Sequence, residues 1–277
     1  MKALKSLLIS GREVLPLVEG GKGISVSNGE SSGAWAAVGG VGTFSGVNAD
    51  SRDALGCRIA QVYHGRNRRE RHEELIRYSI AGAIEQARVA YESANGKGRI
   101  HMNVLWEMAA SERVLHGILE GAKGLINGVT CGAGMPYRIA EICASYGVYY
   151  YPIVSSARAF RALWKRAYHR FREWLGGVVY EDPWLAGGHN GLSNSENPRV
   201  PEAPFPRVRD LRRLMTEECG LARTPIFMAG GVWCLREWED WLDNPEIGPV
   251  AFQFGTRPLL TRESPISDAW KRRLLTL

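Results

Sequence analysis

Eight short apolar or β-branched runs punctuate this chain, and each after the first gives way to a longer segment whose apolar residues recur at helical spacing. The runs fall at 14–18, 41–45, 100–106, 125–131, 148–154, 177–180, 225–229 and 250–254. Most are apolar on both faces, the pattern of parallel strands covered on both sides. Helical segments are predicted at 73–93, 111–122, 136–146, 156–174, 207–219, 235–242 and 267–275. In the first, Leu75, Ile76, Ile80, Ile84 and Ala87 sit near i, i+4 spacing; the third starts with Pro136, well placed at a first helical position. Eight strand candidates alternating with helices in 277 residues have the strand count and size of a (β/α)8 TIM barrel. A doubly wound open sheet shares the alternation, and periodicity alone does not separate the two.

The glycines favour the barrel. There are 32, about 12% of the chain against a usual ~7%. They cluster after several strand candidates, at Gly132 and Gly134, Gly187 and Gly188, Gly230 and Gly231, and Gly255. This puts backbone amides at strand C-terminal ends, where barrel enzymes build their sites. The dinucleotide fingerprint fails where it could occur, because Gly40 and Gly42 are followed by Ser45 at the third position, and no Walker A sequence is present. Two irregular stretches stand out, 46–67 and 181–206; the second is rich in Gly, Pro, Asn and Ser and is predicted to be a lid over the barrel mouth. The expected organisation is one barrel domain over 1–277.

Composition narrows the function classes. Hydrophobic residues at 45% and charged residues at 23% supply a core and exclude a disordered chain. Lys and Arg outnumber Asp and Glu by 35 to 29, a modest excess without the concentration a nucleic-acid binder needs. The densest basic run, from Arg66 to His72, contains Glu70 and leads into Glu73 and Glu74, and reads as a solvated helix start. The five cysteines have no CxxC spacing, and no HExxH or carboxylate–histidine cluster occurs, so neither a disulfide framework nor a metal site is expected. With a start that makes a poor signal peptide and no apolar run of the ~18 residues a membrane span needs, the expected location is cytoplasmic, with no membrane or nucleic-acid partner.

Three motifs carry chemistry. Met228-Ala229-Gly230-Gly231 ends the seventh strand, and Gln253-Phe254-Gly255-Thr256 ends the eighth. Paired glycine turns after these strands, with a hydroxyl and Arg257 beside them, suit a phosphate cup. Ala186-Gly187-Gly188-His189-Asn190-Gly191 follows the sixth strand and offers a sterically open imidazole for proton transfer near neutral pH. His101, in the third strand two residues before Asn103, reads as a structural neighbour.

These three motifs resemble the nitronate monooxygenase (2-nitropropane dioxygenase-like) flavoproteins. More loosely similar are LPLVEGGKGISVS at 15–27, AVGGVGTFS at 37–45 and HMNV at 101–104, so the likeness touches nearly the whole chain in the family's order. The resemblance implies a TIM barrel that binds FMN non-covalently. It implies His189 as the catalytic histidine, with Gly20, Gly21, Asn103, Gly187, Gly188, Gly230, Gly231, Gln253, Phe254, Gly255 and Thr256 around the cofactor. The activity implied is oxidation of alkyl nitronates, and of nitroalkanes, with O2 to carbonyl compounds and nitrite. An FMN-dependent NAD(P)H reductase of the enoyl-thioester reductase type is the alternative enzyme, and a degenerate flavin binder is the non-enzyme alternative. The natural substrate, the use of NAD(P)H and an oligomeric state stay open. The chain departs from the family pattern at Asn190, where an arginine is frequent, and at Tyr180-Glu181-Asp182-Pro183-Trp184, where a glutamine-containing strand is usual. Many relatives also continue past the position of Leu277, which would make this a C-terminally shortened version.

Overall fold

Before the first barrel strand comes a small hairpin. The computed structural model describes residues 2–53, 57–132, 134–187, 191–193 and 196–276. Strands β1 (Leu7–Ile9) and β2 (Arg12–Val14) pair antiparallel around Ser10 and Gly11, with φ of 47° and 74°. Two successive left-handed residues are what a two-residue hairpin turn requires, and a Ser-Gly pair tolerates them. The sequence predicts one strand over 14–18; the structure divides it, with Val14 ending the hairpin and the barrel starting at Leu17. Pro16, which lacks an N–H, lies at the break.

The barrel itself follows the predicted alternation. Its strands are β3 (Leu17–Glu19), β4 (Val41–Ser45), β5 (Arg99–Leu105), β6 (Gly128–Gly132), β7 (Tyr149–Val154), β8 (Val178–Glu181), β9 (Ile226–Ala229) and β10 (Val250–Phe254). Each pairs in parallel with the next, and β10 pairs with β3 to close the ring. This is the (β/α)8 barrel, with closure excluding the open sheet.

The helices are α1 (Gly29–Ala37), α2 (Arg68–Ala94), α3 (Ser111–Gly121), α4 (Ile139–Ser145), α5 (Ala157–Arg166), α6 (Pro204–Glu217) and α7 (Asp268–Leu274). The sequence pattern does not predict α1, because its glycines and serines are weak helix formers. They are there for close packing: a Cβ on Gly29 would stand 2.5 Å from the Gln86 carbonyl oxygen, and one on Gly33 would stand 2.3 Å from the Ser93 Cβ. Asn28 caps α1 by accepting from the Ser31 N–H at 2.8 Å. The basic run is the start of α2, as expected. Asn67 accepts from the Glu70 N–H at 3.0 Å, and the Glu70 carboxylate reaches back to the Arg66 N–H at 2.6 Å. The predicted helix over 156–174 breaks after α5 into a 3-10 segment, Tyr168–Trp174, and the one over 235–242 is a 3-10 segment, Leu235–Trp241. Among the described residues no helix is long and apolar enough to cross a membrane.

Two apolar layers hold the fold. The larger lies between strands and helices, with Met102, Val129, Tyr150 and Phe252 among its residues. The smaller fills the barrel: Val18, Val41, Tyr151, Val179, Phe227, Ala229 and Ala251, joined from below by Ile9 and Val14 of the hairpin. The hairpin thus plugs the N-terminal end. Ser10 Oγ lies 2.9 Å from His101 Nε2 and 2.6 Å from the Tyr151 hydroxyl, which also accepts from the Ser10 N–H at 3.1 Å. Burial, helped by the Arg99 charge, pulls the His101 pKa down to about 3, so the imidazole is neutral. Its role is structural, as expected.

Candidate active site

Side chains alternate along each strand, so the inward positions of the plug layer fix which residues face the mouth above it. Val179 faces inward on β8; two residues on is Glu181. Glu181 is in register with Ala229, and Ala229 with Gln253. On the opposite wall, Ser45, Asn103, Thr130 and Tyr151 are register partners on β4 to β7. The interior therefore ends at its C-terminal face in a ring of polar side chains: Asn103, Thr130, Glu181 and Gln253. Among the described residues none of these four side chains has a hydrogen-bond or ion-pair partner, although Asn103 and Thr130 are buried and the other two half-buried. Their polar atoms are not sealed in the interior but open toward the mouth, and this convergence of unpartnered polar side chains is the main evidence for a ligand site.

The predicted loop residues of the first strand join it. Gly21 lies against Asn103 so closely that a Cβ would stand 2.2 Å from the Asn103 Cβ. Gly20 donates to the Phe254 carbonyl at 2.8 Å and touches Gly255 and Gln253. Gly20, Gly21, Asn103, Gln253, Phe254 and Gly255 thus form one contiguous wall. Phe254 contributes backbone; its side chain is buried on the outer side beside Trp35, with ring centroids 5.8 Å apart. Gly255 has open space where a side chain would be, and Gly255 and Thr256 are exposed, next to a short turn, Arg257–Leu260, with no side-chain cap.

This wall is held from behind. Glu19, fully enclosed, accepts from Ser31 Oγ at 2.9 Å and Ser32 Oγ at 3.1 Å, and lies 3.5 Å from Lys22 Nζ. Burial raises the carboxyl's pKa and lowers that of the lysine, each against the pull of its partner. Lys22 Nζ and Ser27 Oγ both donate to the Gly20 carbonyl, at 2.7 and 3.2 Å. The glycine turn is thus held by contacts from within the chain.

The phosphate-cup glycines are placed differently from one another. Gly230 and Gly231 have φ of 88° and 73°, which glycine alone adopts readily, and they pack on the loop after β8. A Cβ on Gly230 would meet the Asp182 backbone N at 3.2 Å and the Ala186 N at 3.1 Å; one on Gly231 would meet Leu185. Asp182 itself is fully buried and accepts from the Trp184 and Leu185 N–H groups at 3.0 and 2.9 Å, so it shapes the turn. Gly187 lies beyond that turn with open space around it. Gly188 and His189 lie outside the described residues.

The 181–206 stretch returns to the barrel through Arg207, whose guanidinium pairs with Glu196 and Glu202 at 2.5 and 2.9 Å, bonds the Tyr180 hydroxyl at 3.0 Å and stacks over Trp184. Its Gly191 carbonyl accepts from Ser155 Oγ at 2.6 Å. There it borders a cavity of about 300 Å³ over the β6–β8 side of the mouth, walled by Glu181, Ser155, Glu107, Met135, Ile153 and Leu163. Burial alone raises the Glu181 pKa to about 7. Glu181, Thr130 and Ser155 are the site residues that the sequence reading passes over. A glutamate closing an otherwise apolar strand, Val178-Val179-Tyr180-Glu181, is the signal for the first. Among the described residues no cluster of metal-ligating side chains occurs.

No protein-family model and no curated protein matches the chain. Solved structures do match in fold. FabK from Thermotoga maritima superposes with a TM-score of 0.60 at 18% identity, over 95% of this chain and 64% of that one. A nitroalkane oxidase from Streptomyces ansochromogenes gives 0.57 at 17%, over 94% and 70%. The enoyl reductase domain of MlnA, from the macrolactin biosynthesis cluster of Bacillus amyloliquefaciens, gives 0.55 at 13%, over 94% and 57%. At such identities the shared property is the barrel, and the chain spans less than two thirds of the FabK length.

Proposed function

We propose that this protein is an FMN-dependent oxidoreductase of the nitronate monooxygenase type, acting on small nitro compounds with O2. The observation that carries the reading is the ring of unpartnered polar side chains, Asn103, Thr130, Glu181 and Gln253, facing a mouth whose near wall is bare glycine backbone. A flat, polar-edged ring system fits such a wall: amide and hydroxyl groups for its edge, and main chain without Cβ atoms for its face. The fold likeness to a nitroalkane oxidase supports the same direction.

Asn103 and Gln253 would hold the flavin edge, with the Gly20–Gly21 backbone beneath the ring. Gly230, Gly231, Gly255 and Thr256 would receive the phosphate, where positive-φ glycines expose backbone N–H groups. When bound there, FMN supplies the electron transfer that amino-acid side chains cannot. The chain's own tasks are to bind and orient the substrate in the β6–β8 cavity, to exclude water through the 181–206 lid, and to manage one proton. By the resemblance, His189 would be the catalytic histidine, removing that proton or steadying the negative nitro oxygens.

Anaerobic mixing tests this. The purified protein should carry one FMN, and nitroethane or its nitronate should change the flavin spectrum without a pyridine nucleotide. Bleaching by NADH alone would instead support the reductase, and no response to either would support a flavin binder. Limited proteolysis should cut within 181–206, and substrate should slow the cut.

A further inference from the structure

We propose that Glu181 is the group that takes the substrate's proton, and that the cavity it borders selects a neutral carbon acid with a small apolar body over a preformed anion. The inference rests on the reading above and deepens it.

Position comes first. Glu181 ends β8 and faces inward, one strand away from Gln253 across Ala229, so it stands at the seam between the glycine-walled cradle and the 300 Å³ cavity. Of the two described carboxylates lining the cavity, Glu181 rises from the barrel interior and Glu107 is exposed. The remaining wall is apolar at Met135, Ile153, Ala159 and Leu163.

Freedom to react comes second. Three other carboxylates near this end of the barrel are engaged, and Glu107, which also has no partner among the described residues, is exposed to solvent. Asp182 holds two backbone N–H groups, Glu19 holds two serines and Lys22, and Glu196 pairs with Arg207. Glu181 has no partner among the described residues. The groups facing it from each packed element are Glu107 beyond β5, Ser155 after β7, Gly191 of the lid, Ala229 of β9 and Gln253 of β10. Arg207 of α6 lies behind Ser155, donating to its carbonyl at 2.8 Å, and is already taken by Glu196, Glu202 and Tyr180. No described cation neutralises Glu181, and its desolvation sets its basicity close to neutral pH, where a general base works best.

The step balances simply. The C–H bond beside the nitro group breaks, the proton goes to a Glu181 carboxylate oxygen, and the bond's electron pair moves into the nitro group, giving the nitronate. An anionic substrate needs no such step and would meet two carboxylates, Glu181 and Glu107, at the cavity wall. His189 is then left for the nitro oxygens.

The test compares wild type with Glu181→Gln, using nitroethane and ethyl nitronate. Flavin absorbance first establishes that the variant retains FMN. Nitroethane turnover should fall by about 10²–10⁴-fold, the usual worth of a general base, while ethyl nitronate turnover holds or rises. The wild-type rate with nitroethane should climb as pH rises through about 7, and the variant's should not. Equal loss on both substrates, or no loss on either, overturns the proposal. Deuterium uptake from D2O at the α-carbon of nitroethane, under anaerobic conditions, reads proton removal without redox chemistry. Wild type should accelerate that exchange and Glu181→Gln should not, whatever happens at the flavin. Exchange that is uncatalysed by wild type, or unaffected in the variant, removes Glu181 from the role even if the monooxygenase reading stands. Exchange without flavin reduction removes the monooxygenase reading and keeps Glu181.

Discussion

His101 and Asn103 are two residues apart on β5 and face the same barrel interior, yet they live in opposite circumstances. His101 looks toward the plugged end, where its Nε2 bonds Ser10 Oγ, itself bonded to Tyr151, and its ring packs on the Tyr151 ring. Asn103 looks toward the mouth, where its carboxamide has no partner among the described residues. The same strand thus spends its polar residues in two ways. At the bottom they close a network and contribute to stability; at the top they are left open for something the chain does not itself provide. Substitutions at the bottom should therefore change stability and spare ligand binding, and those at the top should do the reverse.

The largest of the effects expected here is on turnover. His189→Ala should slow turnover by about 10²–10³-fold, the usual worth of a group that stabilises developing negative charge. If Glu181 takes the proton, the loss should be equal for nitroethane and ethyl nitronate, as initial rates on the two would read. A loss confined to nitroethane would return the proton to His189.

At the plugged end, Tyr151→Phe removes the partner of the Ser10 N–H and one of the two partners of its hydroxyl, which keeps His101. Leaving the buried N–H unmet should cost about 1–3 kcal/mol in a urea titration, with FMN content unchanged. A loss of FMN without a loss of stability would reverse the comparison.

A smaller effect joins the two regions through pH. Burial raises the Glu181 pKa in the folded protein to about 7, above the 4.5 of an ordinary glutamate. Its contribution to stability is complete below pH 4.5 and is lost as pH rises through 7. Glu181→Gln should then unfold like wild type at pH 4.5 but be more stable at pH 8, by about 1–2 kcal/mol after allowing for partial exposure. For His101 the sign is opposite: its folded pKa of about 3 lies below 6.5, so its contribution is present above pH 6.5 and fades as the pH falls toward 3. Wild type should therefore be least stable at both ends of the range. Thermal melts across pH 4 to 9 check both signs.

Much of this was legible from the chain. The barrel strands lie close to their predicted places because each is an apolar run ended by glycine or a polar residue. Gly20, Gly21, Asn103, Gln253 and Gly255 were named together and meet in one wall. The sequence pattern suits Gly230 and Gly231 to a phosphate cup, and the structure adds that their Cβ positions are taken by the turn at Asp182–Ala186. What escaped were features whose signal is not periodic. The hairpin's strands are three residues each, too short for an alternation to register. Helix α1 is built from Gly and Ser for its closeness to α2, against local propensity. Glu181 could be seen only as a departure from a familiar motif, because its isolation from every cation is a property of three-dimensional neighbours.

The central claim is that the open polar ring exists for a flavin, and the double variant Asn103→Ala/Gln253→Ala tests it most directly. The measurement is FMN binding, by quenching of flavin fluorescence, with a thermal melt of the apoprotein on the same samples. Neither side chain has a partner to lose, so the apoprotein should melt as wild type does, within the ~0.5 kcal/mol typical of substitutions that break no feature. FMN affinity should fall by at least about tenfold, or ~1.4 kcal/mol. An apoprotein that unfolds early, or a variant that binds FMN as tightly as wild type, would contradict the account.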